Sequence, residues 1–168
     1  MTAPDAPTIA RAGPADAAAL HAMIRALADF EKLAHLCTGT VEDLAAALGG
    51  APASAEALIA RIAERPVGFA LFFHTFSTFL ARRGLWLEDL FVLPDARGRG
   101  VGKALLRAVA GIAVERGCGR FEWSVLDWNL PAIRFYRGLG ATVMPDWRIV
   151  RVTGDALRGL AQPPAGGR

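Results

Sequence analysis

Apolar residues recur at helical spacing between Asp16 and about Leu33, where Leu20, Ile24, Leu27 and either Phe30 or Glu31 fall on one side, and this predicts the first long helix. A short strand starting at Ile9 precedes it, after a Pro4- and Pro7-bearing start expected to be loose. Thr40 followed by Asp43 reads as a capping-box variant that opens a short helix through Leu48, closed by Gly49 and Gly50. Strands are expected over Ala57–Glu64 and Val67–Phe76, separated by a turn at Arg65-Pro66, with a linker over Ser77–Gly84. The apolar run Trp86–Leu93 reads as an interior strand that Pro94 stops. Val101, Leu105, Val109 and Ile112 then mark a helix from about Gly100 to Gly117. A strand follows over 120–125, and Asn129 reads as the N-cap of a helix with Pro131 in its first turn, ending at Gly138 and Gly140. A last strand is expected at Ile149–Val152, before a Pro/Gly-rich tail from Gln162 expected to fray.

Four strands followed by helix, strand, helix and strand around one core predict an α/β sandwich with a mixed sheet. A ligand would enter where the strand 86–93 parts from the strand 120–125. The 168 residues suit one domain, 1–168, with an ordered core over about 9–160. The apolar share of 53% and the nine Phe and four Trp argue for a compact protein and against disorder. The apolar stretch at Val67–Phe73 is too short to cross a bilayer, and the start lacks a basic region followed by an apolar one, so no membrane role and a cytoplasmic location are expected. Cys37 and Cys118 lie far apart with no C-x-x-C, which points to thiols in a reducing compartment. His21, His35 and His74 share no ligand spacing, so no metal is expected.

The net charge of +3 is unevenly spread: residues 1–64 carry four basic and eight acidic side chains, residues 97–137 eight basic and three acidic. That asymmetry suits a polyanion bound by the second segment and a cationic partner for the first; nucleic acid is a poor fit, because the basic residues are dispersed and the front would repel it.

The candidate anion site is Asp95-Ala-Arg-Gly-Arg-Gly-Val-Gly102, between strand and helix. Gly98, Gly100 and Gly102 let the backbone turn tightly so that several N–H groups can face one anion, the helix adds its positive end, and Arg97 and Arg99 are spaced to reach phosphates. Lys103 is followed by Ala104, so this is not a nucleoside-triphosphate loop, and the spacing is not that of a dinucleotide fingerprint.

Glu88 and Asp89 sit inside the apolar strand 86–93. Strand alternation sends them to opposite faces, so that one lies near the ligand cleft and the other is held structurally; desolvation would raise Glu88 toward a competent base. Tyr136, the single tyrosine, falls one to two turns along the helix from Asn129, with Ile133 on the same side. Packing alone explains a tyrosine there, as capping explains Asn129 and a core position Ile133. Trp123, Trp128 and Trp147 are core residues or walls of a channel for an alkyl amine.

Taken in order, these segments resemble the GCN5-related N-acetyltransferase (GNAT) superfamily, and within it the diamine/thialysine acetyltransferases. The broad likeness lies in Leu90-Phe91-Val92-Leu93-Pro94-Asp95-Ala96-Arg97-Gly98-Arg99-Gly100-Val101-Gly102-Lys103-Ala104-Leu105-Leu106. The narrower one lies in Phe69–Phe73 with Ser77-Thr78-Phe79, in Leu87-Glu88-Asp89-Leu90-Phe91-Val92, in Trp123–Asn129 and in Ala132-Ile133-Arg134-Phe135-Tyr136. The resemblance implies a mixed, mainly antiparallel, twisted central sheet flanked by helices, and acetyl-CoA as co-substrate. It implies that backbone groups of Phe91 and Val92 bind the pantetheine arm and that Arg97, Gly98, Arg99, Gly100, Gly102 and Lys103 surround the pyrophosphate. Asn129, Ile133 and Tyr136 would lie near the inner end. Glu88 would take a proton from the acceptor ammonium and Tyr136 return one to the departing thiolate, by direct attack in a ternary complex. The implied acceptor is a small primary amine, a diamine, polyamine or thialysine-like compound, received by Glu31, Glu88, Asp89, Asp127, Trp128 and Trp147. The implied assembly is a homodimer. The rival expectations are acetylation of a protein or peptide amine and a non-catalytic acyl-CoA sensor.

Overall fold

The computed structural model describes residues 6–163; the loose start and frayed tail expected above fall largely on residues 1–5 and 164–168, outside them. The chain divides into two compact units, one up to Ser124 and one from Val125.

The first unit contains β1 (Thr8–Ala12), α1 (Ala17–Phe30), α2 (Val41–Gly49), β2 (Glu56–Ile62), β3 (Arg65–Ser77), β4 (Arg82–Val92), α3 (Val101–Glu115) and β5 (Phe121–Trp123). The strands form one sheet in the order β1-β2-β3-β4-β5. All neighbours are antiparallel except β4 and β5, which run parallel. The expected mixed, mainly antiparallel sheet flanked by helices is therefore present.

Side-chain alternation divides the sheet into two faces. On one, Leu20 and Met23 of α1 pack on Ala57, Ile59, Phe69 and Phe91, with Leu44 and Leu48 of α2 joining the rim. On the other lies α3. Gly68, next to Phe69 and facing the opposite way, has no room for a side chain: a Cβ there would meet the Phe91 carbonyl oxygen at 2.7 Å and Leu105 and Val101 of α3 at 3.3 Å each. This glycine lets α3 lie close on β3.

Several boundaries move from their sequence-based positions for identifiable reasons. The expected helix to Leu33 stops at Phe30, with Glu31 as its C-cap and Lys32 in the left-handed region at φ 61°. The turn expected at Arg65-Pro66 is made instead by Ala63 and Glu64, at φ 47° and 64°, so a mirror-image hairpin turn is built without its usual Gly or Asn. The expected linker over Ser77–Gly84 shrinks to the turn at residues 78–81, because β3 and β4 pair as far as Ser77 and Arg82.

The far end of α3 is tied to the sheet by charge. Glu56 of β2 accepts from both terminal nitrogens of Arg116 at 2.6 and 2.7 Å and from Arg11 of β1 at 2.7 Å. Arg116 also donates to Nε2 of His74 in β3 at 2.9 Å. The Arg116 guanidinium, with Arg11 adding to it, holds the Glu56 carboxyl down at about 2 against an ordinary value of 4.5. A lowered carboxylate pKa stabilises the fold fully above 4.5, and the contribution disappears as pH falls from there toward 2. Since Glu56 and Arg116 remain about a quarter exposed (27% and 26%), the expected cost of Glu56→Ala at pH 7 is about 1–3 kcal/mol. Urea unfolding of both proteins at pH 7, 4.5 and 3 measures it; the gap narrows at the lowest pH, and a gap independent of pH would mean that the ion pairs do not cause it.

The second unit holds α4 (Leu130–Gly138) and α5 (Gly154–Leu160). Asn129 caps α4 as expected, its side-chain oxygen accepting from the Ala132 N–H at 3.3 Å. The strand expected at Ile149–Val152 is absent: residues 147–153 have no ladder partner among the described residues, and Ile149 and Val150 stand 67% and 89% exposed. Apolar alternation makes a strand only where a neighbour accepts its hydrogen bonds. Helix α5 had no sequence-based counterpart.

Candidate active site

The pairing of β4 sets the first part of the site. Leu93 donates to the Val67 carbonyl at 2.9 Å, so Leu93 and Val67 form a hydrogen-bonded pair, and by the two-residue repeat of an antiparallel ladder so do Phe91 and Phe69. The N–H and C=O of Phe91 are thus committed to β3, whereas those of Leu90 and Val92 turn to the other edge. Among the described residues β5 pairs only with Leu85, Trp86 and Leu87, so no strand of the first unit takes up that edge at Leu90 and Val92. Of the two residues expected to offer backbone groups, Val92 is placed to do so; Phe91 instead supplies a buried ring, and Leu90 takes its place in the alternation.

The register of β3 against β4 shifts between Leu71, opposite Asp89, and Phe72, opposite Leu87, leaving Glu88 as an extra, bulged residue. The bulge cancels the alternation that was expected to separate the two acids. Glu88 accepts from the indole N–H of Trp86 at 2.9 Å, on the face of its i−2 neighbour. Asp89 pairs with Leu71, which packs on the α1 cluster. Both carboxylates therefore project on the α1 face, which corrects the expectation of opposite faces.

Their surroundings differ. Glu88 is exposed, not desolvated as expected, whereas Asp89 is half-buried. Burial pushes the Asp89 carboxyl up to about 6, and the nearby charges of Glu88 and Glu31 push the same way. Burial also raises Glu31, at the end of α1. Three acids from two separated segments thus gather on one side of the sheet, an arrangement suited to a cation.

Beyond β4 the chain makes a short turn at Pro94–Ala96 and enters the glycine loop. Gly98 and Gly100 are in the left-handed region at φ 76° and 77°, with nothing within 4 Å of where a side chain would start. That backbone conformation favours glycine at both positions, and the open space around both leaves room for a ligand to approach the peptide groups. Gly102 and Lys103 lie in the first turn of α3, whose earliest intrahelical bond is from Ala104 to the Gly100 carbonyl at 2.9 Å. The N–H groups before it have no helical acceptor. Arg97 turns away from the loop: its Nε donates to the Val92 carbonyl at 3.0 Å and its guanidinium carbon lies 5.2 Å from the ring centre of Phe30 and 5.7 Å from that of Phe91. Phe30 drew no attention in the sequence beyond its place on the apolar side of α1.

In the second unit Asp127 and Trp128 occupy the turn before α4, and Asn129, Ile133 and Tyr136 follow along one side of that helix. Burial raises the Tyr136 phenol above its ordinary value of 10, and its ring lies 5.3 Å from that of Phe135. Trp128 and Trp147 are 51% and 73% exposed, Trp147 in the irregular stretch before α5. They are surface residues within their own unit and not core.

Comparison with known proteins gives a consistent picture. The profile of the acetyltransferase (GNAT) family matches residues 21–141. The chain is 38% identical over 150 residues to the thialysine N-epsilon-acetyltransferase of Mus musculus, covering 83% of this chain and 88% of that protein. It is 50% identical over 93 residues to the L-ornithine N5-acetyltransferase NATA1 of Arabidopsis thaliana, a match covering 55% of this chain and 41% of that longer protein. Among solved structures, an integron cassette protein from the mobile metagenome of V. cholerae superimposes with a TM-score of 0.78 at 25% identity, covering 94% of this chain and 99% of the other.

Proposed function

The chain belongs to the GNAT acetyltransferase family and is an acyltransferase, and from that premise we propose that it moves an acetyl group from acetyl-CoA to a primary amine of a small cationic molecule of the thialysine, ornithine or diamine kind. The observation that carries this reading is the placement along β4: an open backbone edge at Leu90 and Val92, three acids on one face, and a left-handed glycine loop leading into α3. The relatives that act on thialysine and ornithine support the choice of acceptor.

The residues fit the co-substrate. The uncovered peptide groups of Gly98 and Gly100 and the first turn of α3 suit a pyrophosphate, with Arg99 and Lys103 adding positive charge, and the edge of Leu90 and Val92 suits an amide-bearing arm. When bound, acetyl-CoA supplies an activated thioester carbonyl. The chain's own part is proton management. An alkyl ammonium with a pKa near 10 is nucleophilic only after losing its proton. Glu31 and Asp89 draw the cation, and the adjacent carboxylates Glu88 and Asp89 accept its proton, the latter poised near neutral pH. The Tyr136 Oη, kept protonated by burial, holds the proton that ends on the departing sulfur. Asn129 and Ile133 line the same side of α4, and Asp127, Trp128 and Trp147 remain acceptor-side candidates from the second unit.

The whole chain is taken to act as one catalytic domain, and as a homodimer by likeness to its family. Its two free cysteines suit the reducing cytoplasm. The deciding experiment measures thiol release from acetyl-CoA with putrescine, spermidine, thialysine, ornithine, lysine and a lysine peptide, with the acetylated product identified by mass. Turnover of free diamines or diamino acids with the peptide ignored is expected; turnover confined to the peptide, or with no acceptor, rejects the proposal.

A further inference from the structure

We propose that Arg97 is an acceptor-side positioning residue, which fixes the end of α1 against β4, and not a ligand of the pyrophosphate. This rests on the transfer reading above. Arg97 opens the glycine loop, where its charge would be assigned to phosphate, yet its guanidinium is held by three partners on the opposite side. These are the Val92 carbonyl, at 3.0 Å from Nε, and the faces of Phe30 and Phe91, at 5.2 and 5.7 Å. A planar cation over two rings, with one N–H fixed on a carbonyl, has a defined place. To reach the loop anion it would have to leave all three.

The partners connect the loop to the acids. Phe91 is two residues from Asp89 on the same face of β4, and Phe30 ends α1 immediately before Glu31. Glu31 lies close enough to Asp89 for its charge to raise the Asp89 carboxyl. The segment needs such a hold, because α1 unwinds there: Glu31 donates to Leu27, Lys32 to Asp29 and Leu33 to Ala28, with Lys32 at φ 61°. Holding Phe30 therefore holds Glu31 in place for an ammonium group. The Val92 carbonyl has a second lone pair, so the bond from Arg97 leaves it able to accept from the cofactor arm as well.

The test compares Arg97→Ala, Arg97→Lys and Arg97→Gln with the unaltered protein. For Arg97→Ala the acceptor KM rises about tenfold while the Kd of coenzyme A, measured by calorimetry, stays within about twofold. Amide hydrogen exchange at Glu31, Lys32 and Leu33 becomes faster. Arg97→Lys, which keeps a cation near the rings but loses the planar stack and the Nε donor, recovers part of the acceptor KM, and Arg97→Gln recovers none. Weakening of coenzyme A binding by tenfold or more, or an unchanged acceptor KM in Arg97→Ala, overturns the proposal. Should the unaltered protein acetylate no amine, the transfer reading falls by itself, while hydrogen exchange and coenzyme A affinity still decide the role of Arg97: unchanged exchange overturns it.

Discussion

Replacing Tyr136 with Phe is expected to lower kcat by about 10²–10³-fold, the range for loss of a positioned general acid. The Kd of coenzyme A should stay within about twofold, since the ring and its contact with Phe135 are kept. Burial raises the phenol above 10, so it is protonated throughout the neutral range and no ionisation of Tyr136 should appear in the pH profile below that value. A thiolate is a base with an ordinary pKa near 8.5, and its expulsion is costly in a desolvated site unless a proton arrives as its charge develops. Loss of one hydroxyl should change stability by no more than about 1 kcal/mol, so thermal unfolding separates a chemical effect from a structural one. Steady-state kinetics together with calorimetry decide the matter. An unchanged kcat removes Tyr136 from the proton path, and a fall in kcat matched by loss of coenzyme A affinity makes it a binding residue.

The parts of the molecule that could be read from residue order are those in which one local cause dominates. Thr40 with Asp43, and Asn129 with Pro131, announced helix starts because capping needs only the residue and its next turn, and both caps form. The glycine loop was visible for the same reason: Gly98 and Gly100 occupy conformations that other residues adopt only with strain. What stayed hidden depends on pairing between distant strands. Nothing in Leu87-Glu88-Asp89 marks Glu88 as a bulged residue; the bulge exists only in the register between β4 and β3. Which of Leu90, Phe91 and Val92 turns its peptide groups to the open edge is likewise decided by which residue of β3 lies opposite, and the bond from Leu93 to Val67 sets that phase. Ala63 and Glu64 concealed a turn because neither carries the usual preference for positive φ. The strand expected over Ile149–Val152 shows the reverse error, a pattern that pairs with no strand among the described residues.

The bulge makes Asp89 the more consequential acid, and its replacement by Asn should separate activity from stability in opposite directions. Its carboxyl titrates near 6 in the folded protein against an ordinary value of 3.8. A raised carboxylate pKa means that the folded state binds the proton more tightly than the unfolded chain. Ionisation therefore costs stability, in full above pH 6, and the cost fades as pH falls from there to about 3.8. Asp89→Asn removes that cost, to which the repulsion from Glu88 and Glu31 contributes, so at pH 7.5 it should be more stable than the unaltered protein by about 1–3 kcal/mol. By pH 4 the two should converge. Over the same range the unaltered enzyme should lose activity as pH drops through about 6, because the protonated acid neither attracts an ammonium nor accepts its proton. In Asp89→Asn, kcat/KM at pH 7.5 should be lower by about 10²-fold, and the limb near 6 should vanish, leaving only the rise that follows the amine's own ionisation. Glu88→Gln should also be slower but keep a limb, moved to lower pH because the Glu88 charge no longer helps to raise Asp89. Chemical denaturation and pH–rate profiles of the three proteins test all of this together. A limb that survives in Asp89→Asn and disappears in Glu88→Gln would transfer the titrating role to Glu88. An Asp89→Asn protein less stable at pH 7.5 would mean that the half-buried carboxylate is compensated, and that its environment is not a strained one held for chemistry.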